Sequence, residues 1–207
     1  MATSPDSLQS ERGETAGVDP LQRRPVLLLD VDDVLALNTH YSGRHARQAI
    51  FRPEKAAPDL YEKLFSGQAV DALNQLLAEF NPAVVITSSW LMLFRREEFL
   101  DLFRKTGLNI TEASLHEHWD APEEYGVGRS IAIALWLSKH HRGEPVLILD
   151  DVSSGKSLVE SPWDKAGHVL LCEENVGFHA GLLDAARAAI RRPFLPETHW
   201  KPWERRG

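Results

Sequence analysis

The chain has 207 residues, 43% hydrophobic and 26% charged, which suits one globular domain with a sizeable core. A net charge of -7 argues weakly against a protein that coats nucleic acid through bulk charge, though it leaves room for a local basic groove, and the single Cys172 excludes an internal disulfide framework. No apolar run approaches the roughly 18 residues of a membrane span, and the N-terminus lacks the apolar centre of a signal peptide, so the expected location is the cytoplasm, away from membranes.

Residues 1–24 are polar and rich in Ser, Gly, Pro and Asp, and read as a disordered leader. "PVLLLD" (25–30) is a short apolar run that suits a strand buried on both faces. Between Thr39 and Gly67 there are several breakers and no clear period. "AVDALNQLLAEF" (69–80) predicts a helix with Val70, Leu73, Leu76, Leu77 and Phe80 on one face, stopped by Asn81-Pro82. "AVVIT" (83–87) is the next buried strand, and 95–107 a helix closed by Gly107. "HEHWD" (116–120) reads as a surface loop. Residues 128–143 form a helix closed at Gly143, "PVLILD" (145–150) repeats the form of the first strand, and "HVLLC" (168–172) is a further strand. A last helix covers 179–192, and 193–207 are a C-terminal tail carrying Pro and Trp. The domain proper is therefore expected over 25–192.

Apolar strands alternating with helices imply an α/β, Rossmann-like parallel sheet with helices on both faces. Ligands in such folds sit beyond the carboxyl ends of the strands. Three polar clusters fall there: Asp30-Val31-Asp32-Asp33, Thr87-Ser88-Ser89 and Asp150-Asp151. Carboxylates crowded at two facing strand ends repel one another unless a hard cation offsets them, and Mg²⁺ prefers a few carboxylates, waters and phosphate oxygens. A carboxylate so offset is a competent nucleophile toward phosphorus. A second carboxylate two residues on can protonate the leaving oxygen and then deprotonate water.

"LLLDVDDVL", "VVIT" and "VLILDD" resemble motifs I, II and IV of the haloacid dehalogenase (HAD) superfamily, in that order, across about residues 25–190. "TSSW", the double Asp and "NVGF" are closest to the HAD-like domains of bacterial RNA-repair proteins. The resemblance implies an Mg²⁺-dependent phosphatase. Asp30 would be its nucleophile and Asp32 its general acid/base. Thr87, or else Ser88, would bind the phosphoryl group. Asp30, the Asp32 carbonyl, Asp150 and Asp151 would hold the metal.

This chain departs from the family pattern twice. Asp33 stands where the family usually has Gly. The third-motif Lys has no direct counterpart: Arg129 is the best-placed cation, Lys139 is nearer the helix end and expected to point away, and Lys156 follows the double Asp. Arg keeps the charge but differs from Lys in reach and can hold two oxygens.

HAD enzymes often insert a cap domain after motif I or II. The two gaps here, 37–67 and 90–128, hold no complete cap pattern, so little or no cap is expected. An open site suits a bulky phosphorylated substrate such as a nucleotide, a polynucleotide end or a phosphoprotein. The competing readings are a non-catalytic HAD-like module that binds phosphorylated ligands and a phosphotransferase.

Other features read more plainly. "SSGKS" (153–157) lacks the first Gly of a P-loop, because Asp150 sits there, and reads as a loop. His116, His118 and Asp120 have metal-ligand types but no supporting cluster. Arg44, His45 and Arg47 suit a solvated face, His140-His141 a helix end, and Trp90 and Trp136 the core.

Overall fold

The computed structural model describes residues 23–123 and 128–195. The expected leader lies outside the described residues except for Arg23 and Arg24, as does the tail beyond Leu195. Five strands form the sheet: β1 (Val26–Leu29), β2 (Ala83–Ile86), β3 (Leu115–Asp120), β4 (Val146–Asp151) and β5 (Val169–Cys172). Their order is β3-β2-β1-β4-β5, and every pairing is parallel. The described helices are α1 (Gly43–Phe51), α2 (Leu60–Lys63), α3 (Gly67–Phe80), α4 (Arg96–Lys105), α5 (Arg129–His140), α6 (Pro162–Lys165) and α7 (Leu183–Ile190).

Side chains that alternate along the central strands feed two separate cores. Leu27, Leu29, Val84, Ile86, Leu147 and Leu149 pack on one face with residues of α1, α3, α4 and α7. Val26, Leu28, Val85, Val146 and Ile148 pack on the other with α5 and with Trp163 of α6. A strand covered on both faces needs apolar side chains at every position, which explains the uninterrupted "VLLL" and "VLIL". The α3 face expected from its spacing is buried at Val70, Leu73, Leu76 and Leu77, and Asn81 closes the helix in the left-handed region at φ 43°. Arg24 fastens the start of β1 by donating to the carbonyls of Asn81, Pro82 and Ala113 at 2.6, 2.9 and 3.0 Å.

Two elements differ from the sequence reading. Residues 116–120, expected as a loop, belong to strand β3. β3 is an edge strand whose pairing with β2 shifts register between Val84↔Leu115 and Ile86↔Asp120. Only Leu115 is fully buried, so the strand carries no apolar signal. The segment without a period contains helix α1, whose buried face is Gly43, Ala46 and Ala49. The helix lies directly on Trp90 at Gly43, where a Cβ would stand 2.8 Å from the indole Cε2. Among the described residues no cap domain is inserted, and the gaps after β1 and β2 are filled by helices that pack onto the sheet.

The α1–Trp90 contact generates a stability prediction. Gly43→Val forces side chain into the buried indole and should lower stability by about 1–3 kcal/mol. Urea unfolding of the variant against wild type measures it, and an unchanged midpoint would contradict the close contact.

Candidate active site

The sheet ladder runs one residue past β1 and β2. The Asp30 amide donates to Leu149 O and the Thr87 amide to Leu29 O, both at 2.9 Å. Asp30, Thr87 and the two aspartates ending β4 are thereby set side by side. All four side chains are buried. Helix α5 brings Arg129, its first residue, over them, and that side chain is only 3% exposed. Its Nη2 donates to Asp30 Oδ1 at 3.1 Å, while Nε lies 3.2 Å from Asp150 Oδ2 and 3.1 Å from Glu123 Oε1.

One guanidinium therefore faces three carboxylates. Burial pushes the Asp30 carboxyl up to about 7 against the opposing pull of Arg129, with Ser88 and the Val31 amide also stabilising its charged form. Burial also pushes Asp150 up to about 8, and Asp30 and Asp151 add to that rise. Arg129 is held above its usual range because these carboxylates outweigh its own desolvation.

Several buried polar atoms here have no hydrogen-bond partner among the described residues: Asp30 Oδ2, Asp150 Oδ2, Thr87 Oγ1 and Arg129 Nη1. Orphaned groups at such depth are costly and point to an absent ligand. Oxygens of Asp30, Asp150 and Asp151 lie within 4.8 Å of one another, and among the described residues this is the one group of three acidic, His or Cys side chains close enough to share a metal ion. Carboxylate oxygens with unfilled lone pairs fit a hard divalent cation such as Mg²⁺. Asp150 Oδ1 accepts from the Asp151 amide at 2.9 Å, and its Oδ2 lies against Arg129 Nε at 3.2 Å. Asp151 is already occupied: Oδ1 accepts from the Ser153 and Ser154 amides at 2.7 and 3.0 Å, and Oδ2 from the Ser154 hydroxyl.

Asp32 lies outside this carboxylate group, and its oxygens accept from Asn38 Nδ2 at 3.2 Å and Ser89 Oγ at 3.1 Å. Asp33 has a different task. Its φ of 49° is left-handed, a region that Gly enters freely and Asp tolerates, so the turn needs the backbone for which the resembling family uses Gly. Its Oδ1 accepts from the Asn175 amide at 2.9 Å. The Phe178 amide donates to Val34 O at 2.9 Å, and a Cβ at Gly177 would stand 2.9 Å from that same oxygen. "NVGF" is thus the strap that braces the first-motif turn.

Of the two hydroxyls after β2, Thr87 Oγ1 is the unpartnered one, whereas Ser88 Oγ accepts from the Trp90 amide at 3.3 Å. Of the three cations, only Arg129 touches the carboxylates. Lys139 is exposed near the other end of α5, and Lys156 is exposed at the mouth of a cleft of about 490 Å³ shared with Ser89, Glu123, Arg129 and Ser154. Within "SSGKS", Gly155 is buried because a Cβ there would stand 3.3 Å from the Asp150 Cβ, so this glycine serves close packing behind the site.

The remaining candidates are structural. His45 Nδ1 caps α1 by accepting from the Ser42 amide at 3.1 Å, and Arg47 donates to Leu93 O while lying 4.9 Å over the Phe51 ring. Arg44 is exposed. His116 accepts from the His118 amide, His118 stacks on His140 at 3.7 Å, and Trp90 and Trp136 are core. Sequence reasoning missed Ser89 and Asn38 on Asp32, and Glu123 on Arg129. Ser89 carried a faint signal as the third member of the Thr-Ser-Ser cluster; Asn38 and Glu123 carried none.

Comparisons with curated proteins and with solved structures give no match. Residues 26–181, most of the chain and all of this site, match the HAD domain in Swiss Army Knife RNA repair proteins, and the protein belongs to that family.

Proposed function

We propose that the protein is an Mg²⁺-dependent phosphomonoester hydrolase acting through an aspartyl-phosphate on Asp30. The observation that carries this reading is the set of unpartnered buried atoms, Asp30 Oδ2, Thr87 Oγ1 and Arg129 Nη1, gathered around carboxylates able to share a cation. A phosphoryl group supplies what each of them lacks: an electrophile for the first and oxygen acceptors for the other two.

Asp30 attacks phosphorus, and the bond to the leaving oxygen breaks as Asp32 delivers its proton there. Asp32 then takes a proton from water, whose oxygen attacks phosphorus and releases Asp30. Thr87 Oγ1 and Arg129 Nη1 hold the phosphoryl oxygens, with Ser88 supporting the charged form of Asp30. Mg²⁺, held by Asp30, Asp150, Asp151 and the Asp32 carbonyl, would neutralise the phosphoryl charge and the crowded carboxylates.

The uncapped cleft and the RNA-repair proteins for which the family is described support a phosphorylated polynucleotide end as the substrate class. Among the described residues, no helix is long and apolar enough to cross a membrane.

Asp30→Asn should reduce hydrolysis of an aryl phosphate by at least ~10³-fold, since it removes the nucleophile itself. Undiminished turnover by this variant would end the aspartyl-phosphate mechanism. Turnover by wild type over a panel that includes 5′- and 3′-phosphorylated oligonucleotides separates the hydrolase from a binding module, and product analysis with acceptor alcohols separates it from a phosphotransferase.

The raised carboxyls predict a pH dependence that needs no turnover. Without metal, native Asp30 and Asp150 keep protons that the unfolded chain has lost above its ordinary value of 3.8, so stability should fall as pH rises from about 4 to about 8. Mg²⁺ competes with those protons, and its stabilisation should grow over the same range, reaching about 2.7 kcal/mol at a hundredfold excess over Kd. Thermal melts in Mg²⁺ and in EDTA at pH 5 and pH 8 test this; an equal or larger Mg²⁺ effect at pH 5 would contradict it.

A further inference from the structure

Asp32 sits on the turn after β1, half-buried, and its carboxylate is held by side chains. There are two, one on each oxygen. Asn38 Nδ2 donates to Oδ1 at 3.2 Å, and Ser89 Oγ donates to Oδ2 at 3.1 Å. They arrive from different directions. Asn38 is returned to Asp32 by the tight turn between them, closed by the Asp33 amide on Ala36 O at 2.9 Å, and it takes a left-handed φ of 56° to do so. Ser89 opens the 3₁₀ turn Ser89–Met92 immediately after β2, two residues beyond Thr87, and its side chain lines the cleft.

We propose that Ser89 and Asn38 are positioning residues for the proton transfer to the leaving group, fixing the plane of the Asp32 carboxylate against the phosphoryl site. The inference rests on the phosphohydrolase reading given above. A carboxylate with a donor on each oxygen loses the rotation about its terminal torsion that a solvated one keeps. A proton donor must lie within hydrogen-bond reach of the leaving oxygen, and a displacement of about 1 Å can cost ~10²-fold. Ser89 also ties Asp32 to the segment that carries Thr87, so the proton donor and a phosphoryl ligand share one rigid support. During the first step the P–O bond to the leaving group breaks and that oxygen receives the Asp32 proton. An aryl leaving group departs as a stable anion and needs the proton little, whereas an alkyl leaving group needs it throughout.

The test is therefore leaving-group dependence, which a general loss of structure would not change. Ser89→Ala, Ser89→Thr and Asn38→Gly are compared with wild type on p-nitrophenyl phosphate and on ethyl phosphate, with the Mg²⁺-induced melting shift as the fold control. Glycine at position 38 keeps the left-handed backbone while removing the donor. Ser89→Ala and Asn38→Gly should each lose ~10–100-fold in kcat on ethyl phosphate but only about threefold on p-nitrophenyl phosphate, and Ser89→Thr should recover most of the alkyl activity. Equal losses on both substrates, with wild type active, would overturn this inference and leave the hydrolase standing. Wild type inert toward both, and toward the 5′- and 3′-phosphorylated oligonucleotides, would overturn the hydrolase reading and this inference with it.

Discussion

Everything at the sheet edge depends on one electrostatic arrangement: several carboxylates buried around a single guanidinium. Asp30, Asp150 and Asp151 are buried at the ends of β1 and β4, and Arg129 alone among the described residues faces them with positive charge. Such an arrangement is unfavourable by itself. Burial raises the carboxyls, and Arg129 only partly opposes the rise. A fold that tolerates this does so because the rest of the molecule over-determines it.

The over-determination comes from the sheet. β1 lies between β2 and β4 in register, so three chain segments more than fifty residues apart end at one level. Both faces of these strands are packed, and α5 is held by its own core on one side of them. The position of Arg129 then follows from where α5 begins. Asp30, Thr87, Asp150, Asp151 and Arg129 each sit at the end of a strand, just past one, or at the first residue of a helix.

That dependence also explains what could be read from residues alone. Doubly covered strands must be apolar throughout, so β1, β2 and β4 were legible, and the polar residues that interrupt them marked the site. Arg129 was the better cation because it opens a helix on the site's side of the sheet. β3 was illegible because an edge strand with shifted register has one neighbour and little burial. α1 was illegible because its buried face is made of small residues, Gly43, Ala46 and Ala49, which carry little hydrophobic period. Asn38 and Ser89 were hidden for another reason: their relation to Asp32 is made by the geometry of turns, and no residue pattern encodes a hydrogen bond across them. Asp33 stood out in the sequence only as a departure from the family's Gly; its left-handed backbone and its bond to Asn175 show a brace.

That brace has a consequence in time. The turn bearing Asp30 and Asp32 is made before its partner amide at Asn175, which the chain reaches only 142 residues after Asp33. β4, which supplies Asp150 and Asp151, also follows the turn in the chain. A nascent chain therefore carries the first-motif turn without its counter-strand and without its strap until both of those segments have been made. Long-range closures of this kind are slow and come last in folding. The acidic edge is complete only once β4 and the strap have been added, so a chain that stops before them holds Asp30 without its buried partners.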